Sequence, residues 1–145
     1  PYLPPAEFGR LVSSFDKELV DIIHRHGGYA RLHSHGNIRQ VVCFLKEMGI
    51  DAVDPLEPPP DGDLELDDAR EMLEGVVLIG NIEERLFEVG SRADIEEAVR
   101  KAMDQTGRKG FILCPTAMPL TTPLDKRTAD NIIHYIDCGL RYGAL

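Results

Sequence analysis

Residues 76–83 read Val76-Val77-Leu78-Ile79-Gly80-Asn81-Ile82-Glu83: four unbroken apolar residues, then glycine, an amide and a carboxylate. A short apolar run without alternation predicts a strand covered on both faces, as in a parallel sheet under helices. The same phrase recurs in both directions. Upstream, Ile50 to Leu56 reads as a strand closed by Pro58-Pro59-Pro60, and Tyr29 to His33 as a strand broken at Gly36-Asn37. Downstream, Gly110 to Cys114 reads as a fourth.

Helical patterns fill the intervals. From Glu7, the apolar residues Phe8, Leu11, Val12, Phe15, Leu19, Ile22 and Ile23 recur at steps of three and four, ending at Gly27-Gly28. A second helix runs through Val41, Val42, Phe44, Leu45 and Met48 to Gly49, and a third from about Leu64 to Leu73 before Gly75. The stretch around Phe87 and Gly90 is expected to be a loop. Ser91 and Asp94 form a capping box for a helix reaching Gly107, and the last helix spans Lys126 to Tyr142.

One helix followed by four strand–helix units predicts an α/β fold. One strand per roughly 36 residues is near the spacing of an eight-stranded (β/α) barrel. The expected architecture is half of a (β/α)8 TIM barrel, with residues 1–145 as a single domain. An open doubly wound sheet is the rival, but no Gly-x-Gly-x-x-Gly turn follows any strand.

Composition narrows the function. Sixteen basic and twenty-five acidic residues among 145 give a net charge of -9. That excludes a nucleic-acid backbone or an anionic membrane as the main partner. No apolar run approaches the ~20 residues of a membrane span. Three widely spaced cysteines, Cys43, Cys114 and Cys138, fit a reducing, cytoplasmic setting better than a disulfide framework. The chain opens Pro-Tyr-Leu-Pro-Pro without Met, the expectation being a piece of something longer.

In parallel α/β folds chemistry gathers at the carboxyl ends of the strands. Here those ends read His33-Ser34-His35-Gly36-Asn37, Asp54-Pro55-Leu56-Glu57, Gly80-Asn81-Ile82-Glu83 and Cys114-Pro115-Thr116. His33 and His35, two apart on a continuing strand, project from one face. With a carboxylate and a thiolate from neighbouring strands they make a tetrahedral zinc set, charge-neutral with the metal bound. A plainer reading stands beside it: His33 bonding to backbone, His35 capping a helix, Cys114 filling the core, Glu57 solvated and Asn81 satisfying a turn. Cys43 and Cys138 read as packing residues, and His24, His26 and His134 receive no role. The acidic run from Asp61 to Glu74 reads as a solvated helix face.

In order and spacing these blocks resemble the uroporphyrinogen decarboxylase superfamily. The resemblance rests on His33-Ser34-His35-Gly36-Asn37, on Met48-Gly49-Ile50-Asp51-Ala52 leading to Glu57, and on Gly80-Asn81-Ile82-Glu83. It continues through Gly110-Phe111-Ile112-Leu113-Cys114-Pro115 and from Asn131-Ile132-Ile133 to Tyr142-Gly143. From about Pro4 onward the chain is similar to the C-terminal half of that barrel. One branch decarboxylates a tetrapyrrole without metal. The other, typified by methylcobalamin:coenzyme M methyltransferases, uses zinc to activate a thiol.

The resemblance is nearer to the zinc branch, whose His-x-Cys pair, later Cys and occasional Glu correspond to His33, His35, Glu57 and Cys114. His35 replaces the first Cys of that pattern. The decarboxylase branch carries an Asp-Trp pair where this chain has Leu56-Glu57. The resemblance implies a methyltransferase moving a methyl group between a corrinoid, carried by a partner protein, and a small-molecule nucleophile. Zinc would be held by His33, His35, Glu57 and Cys114, with His35 and Glu57 catalytic and Glu57 exchangeable. Asn37 and Asn81 would orient substrate. Uroporphyrinogen decarboxylation, with His33 or His35 as proton carrier, is the alternative, and a non-catalytic barrel fragment a third. Half a barrel has open sheet edges, so the expected partner is a second copy or an N-terminal half-barrel.

Overall fold

The computed structural model describes residues 3–144. Its core is one four-stranded sheet in the order β1-β2-β3-β4, with every neighbouring pair parallel. The strands are β1 (Arg31–His33), β2 (Ala52–Leu56), β3 (Val77–Ile82) and β4 (Phe111–Pro115). The helices are α1 (Pro5–Phe8), α2 (Ser14–Arg25), α3 (Val42–Met48), α4 (Leu66–Met72), α5 (Arg85–Val89), α6 (Arg92–Thr106) and α7 (Lys126–Tyr142). This is the α/β half-barrel that the repeating phrase predicts.

One sheet face is buried under the helices. Val53, Leu56, Leu78 and Ile82 pack there with Leu45, Met48, Leu66, Leu73, Phe87, Ile95 and Val99, all essentially solvent-free. Alternation sends the next side chains to the opposite face. Arg31 and His33 lie there on β1, Asp54 on β2, Ile79 and Asn81 on β3, Ile112 and Cys114 on β4. On this inner face Asp54 and Ile79 are buried, whereas Ile112 on the last strand is 53% exposed.

Four elements differ from the sequence expectation. Strand β3 runs through Gly80-Asn81 instead of ending there. Gly80, at φ +149°, lies where a Cβ would sit 3.0 Å from the Leu56 backbone nitrogen, so only glycine lets β3 approach β2 this closely. The Phe87 stretch is a short helix, α5, which buries Phe87 completely against Tyr135 of α7 at 5.3 Å between ring centroids. The second helical pattern begins as a 3-10 turn (Arg39–Val41) before α3.

The first helix is broken by a π-helical stretch, Gly9–Ser13, between α1 and α2. Its apolar stripe does not face the core: Leu11, Phe15, Leu19, Ile22 and Ile23 are exposed, Phe15 to 62%. At the other end of the sheet, Ile133, Ile136 and Leu140 of α7 are exposed too, Leu140 to 74%. The periodicity was that of a buried helix, yet the surface that would bury it is not in the half-barrel.

The acidic run also does more than meet solvent. Asp63 accepts from the backbone N–H groups of Ile38 (2.8 Å) and Arg39 (3.0 Å) and so starts that helical turn. Glu65 pairs with Lys101 at 2.9 Å, tying α4's start to α6. Among the described residues, no helix is long and apolar enough to cross a membrane.

Candidate metal centre

The carboxyl ends of β1 and β2 build the site together. The parallel register sets His33 opposite Asp54, and the backbone N–H of Ser34 donates to the Asp54 carbonyl (2.8 Å), carrying the ladder one residue further. His35, two residues after His33, therefore returns to the same side. Gly36, at φ +78°, then turns the chain away. On β2 a register shift between Val53 and Leu56 resets the alternation. Leu56 joins the core, and Glu57 is left to point at His35.

The side chains form an unbroken chain. Asp54 Oδ2 lies 2.9 Å from His33 Nδ1, His33 Nε2 lies 3.0 Å from His35 Nε2, and His35 Nδ1 lies 2.8 Å from Glu57 Oε1. The two rings meet edge-on, 73° apart in plane. Glu57 Oε2 accepts from the Gly36 backbone N–H at 2.5 Å, and Arg31 stands 3.5 Å from Asp54. Asp54 is buried and Glu57 nearly so, whereas both imidazoles are half exposed.

The donor geometry suits a metal. Each Nδ1 is turned toward a carboxylate, the arrangement found behind metal-bound histidines whose other ring nitrogen ligates. Two imidazole nitrogens sharing a tetrahedral zinc lie about 3.3 Å apart given Zn–N bonds of roughly 2.0–2.1 Å. The observed 3.0 Å is close to that edge.

Of the residues singled out from sequence, the structure joins His33, His35 and Glu57 directly. Asn37 lines with them a cleft of about 930 Å³, to which Pro60 and Asp61 also contribute. Cys114 and Asn81, paired across β4 and β3, share the inner face but stand outside this cluster. Burial pushes the Cys114 thiol up, and the Asp54 charge adds to that while Arg31 opposes it.

Asp54 is the residue that sequence reading passed over. Its signal was present: an acid between Val53 and Pro55, inward by alternation and level with His33. Glu83, at the end of β3, is the second. Its carboxyl is mostly buried, which pushes its pKa up against the pull of Arg85 at 2.7 Å, and one oxygen has no partner.

Residues 2–129 match the family model described as uroporphyrinogen decarboxylase (URO-D). The chain belongs to the uroporphyrinogen decarboxylase family. Among solved structures, a methyltransferase from Methanosarcina mazei superposes with a TM-score of 0.74 at 16% identity. The match covers 98% of this chain and 39% of that one, so the URO-D half-barrel described here spans about two fifths of its structural neighbour. At that identity the likeness is one of fold. No curated protein sequence matches the chain.

Proposed function

We propose that this URO-D-family chain is the metal-bearing half of a zinc-dependent methyltransferase, with a corrinoid on a partner protein as methyl carrier. The observation that carries the reading is the convergence of the His33 and His35 Nε2 atoms, each ring backed by a carboxylate. The family match and the methyltransferase neighbour support it.

His33 and His35 are the first two zinc donors in this reading, and Cys114, which lies on the same inner face but outside their cluster, is the third donor only if β4 is drawn toward β1. Glu57 was expected as an exchangeable fourth donor. Its oxygens already contact His35 Nδ1 and the Gly36 N–H, so we assign it first to orienting His35. The fourth position is then left for substrate. Zinc held there supplies Lewis acidity that lowers the pKa of an incoming thiol or comparable nucleophile. Asp54 keeps His33 in its metal-binding tautomer, and Arg31 beside Asp54 steadies that carboxylate. Asn37 offers an amide to the substrate from the cleft wall, with Asn81 doing the same from the inner face.

Zinc content of the purified protein tests this. The double variant His33→Ala/His35→Ala should lose one equivalent relative to wild type, and Cys114→Ala should bind that equivalent more weakly. Zinc unchanged in both variants would overturn the assignment.

A second reading is metal-free decarboxylation of a tetrapyrrole. It is favoured by the direct Nε2···Nε2 contact, since one imidazole donating to the other makes a proton relay ending on two carboxylates. Turnover of uroporphyrinogen in the presence of a strong chelator would select it.

A further inference from the structure

On the opposite side of the sheet, α6 and α7 bring together three residues that sequence reading does not connect. His134 and Cys138 are one helical turn apart on α7 and so share a face. Glu96 reaches them from α6. Their donor atoms lie within 4.8 Å of one another, the one such trio of His, Cys, Asp or Glu among the described residues. We propose that Glu96, His134 and Cys138 form a second zinc site, a clamp between α6 and α7 distinct from the strand-end histidines.

The spacing is the first reason. Cys138 Sγ lies 3.5 Å from His134 Nε2. A thiolate and an imidazole on one tetrahedral zinc stand about 3.5 Å apart, given Zn–S near 2.3 Å and Zn–N near 2.0–2.1 Å.

The donor chemistry is the second. A thiolate, an imidazole and a carboxylate are the mixed soft and borderline set that zinc takes, with a fourth position open to water. Glu96 and the Cys138 thiolate supply two negative charges, matching the ion. Arg141, 3.7 Å from Glu96, keeps the surroundings from being over-acidic.

The third is how these groups are held. Cys138 is buried, so its sulfur is fixed by packing. Glu96 is steadied by the Tyr142 hydroxyl, which donates to it. His134 Nε2 faces the Arg92 carbonyl at 3.1 Å as well as the sulfur. The Arg92 carbonyl can only accept, so the His134 Nε2–H donates to it in the metal-free chain, and a metal would replace that hydrogen bond. A metal at this point engages the imidazole nitrogen, the sulfur and the carboxylate together. On binding, the Cys138 S–H proton is released to solvent as the S–Zn bond forms, and the imidazole proton resides on Nδ1.

The test uses the 145-residue chain carrying His33→Ala and His35→Ala, which removes the strand-end donors. Failure of the strand-end reading therefore leaves this one untouched. Cobalt(II), a spectroscopic substitute for zinc, should bind at one equivalent and show sulfur-to-metal charge-transfer absorption. Cys138→Ala should abolish that absorption. Glu96→Gln and His134→Gln, at partly exposed positions, should each weaken zinc binding at least tenfold with circular dichroism unchanged. Zinc should also raise the melting temperature of the parent chain but not of the Cys138→Ala variant. Absence of the charge-transfer band, or affinity unchanged in both the Glu96 and the His134 variant, overturns the proposal, leaving Cys138 as core packing.

Discussion

A Cβ built on Gly62 would sit 2.0 Å from the carbonyl oxygen of Glu57. The turn that follows β2 folds back on itself, with the Gly62 N–H donating to the Pro58 carbonyl at 2.9 Å. The residue that steadies His35 is thus itself placed by a glycine five positions later. Gly62→Ala must push the Glu57 backbone away. Misplaced supporting groups typically cost 10–100-fold in metal affinity. We expect a loss of about that size at the strand-end histidines, read by competition with a zinc chelator, with circular dichroism unchanged.

Asp54→Asn probes the other end of the same chain. The swap keeps the shape but presents an amide to His33 Nδ1 and removes the charge beside Arg31. Zinc affinity at this site should fall by roughly 10–100-fold. An affinity equal to wild type would mean that His33 needs no carboxylate behind it.

Much of this was readable beforehand. Val76 to Ile79 announces a buried parallel strand, and the strand-end rule gathers His33, His35, Glu57, Asn37, Asn81 and Cys114, of which Cys114 and Asn81 stand apart from the histidine cluster. What could not be read was pairing at a distance. Asp54 gains its role only from the register that sets it level with His33. Glu96, His134 and Cys138 meet only because α6 packs on α7, and a Cys and a His separated by one turn look like ordinary packing until the neighbouring helix is known. α5 escaped because five residues give too little periodicity, although its Phe87 anchors the layer.

Phe87→Ala should test that anchor. Phe87 is wholly buried and edge-on to Tyr135. Truncating a buried Phe costs about 3–5 kcal/mol, part of it from the cavity left behind. Urea unfolding should show a loss of that order, with the midpoint shifting and the slope retained.

Acid should destabilise the protein through specific carboxylates. Asp125, the N-cap of α7, accepts from the Thr128 side chain and from the Thr128 and Arg127 backbone N–H groups, which hold its carboxyl below the usual range. His24, chiefly, and the Ala30 N–H do the same for Asp51. Because these folded pKa values lie below the unfolded ones, their stabilisation is complete above the ordinary carboxylate pKa of about 4 and is lost as pH falls through the depressed values. Asp125→Asn keeps a competent cap but removes the titration. Its melting temperature should fall less steeply with acidification than that of wild type.

The two exposed stripes make a prediction about assembly. Phe15 and Leu19 on α2, and Ile136 and Leu140 on α7, flank opposite ends of the sheet. In light scattering the chain alone should weigh more than one copy. Ile136→Glu with Leu140→Lys should shift it toward the single-chain mass, and a wild-type chain already at that mass would refute the idea.

The uncovered ends bear on the proposed zinc site as well. His33 sits on the first strand and Cys114 on the last, so their separation is a chord across whatever arc the sheet describes. Curling the strands toward a closed ring shortens that chord, and flattening them lengthens it. Occupancy of a site spanning both strands would then report on ring closure, making zinc affinity a gauge of how completely the barrel wall is joined.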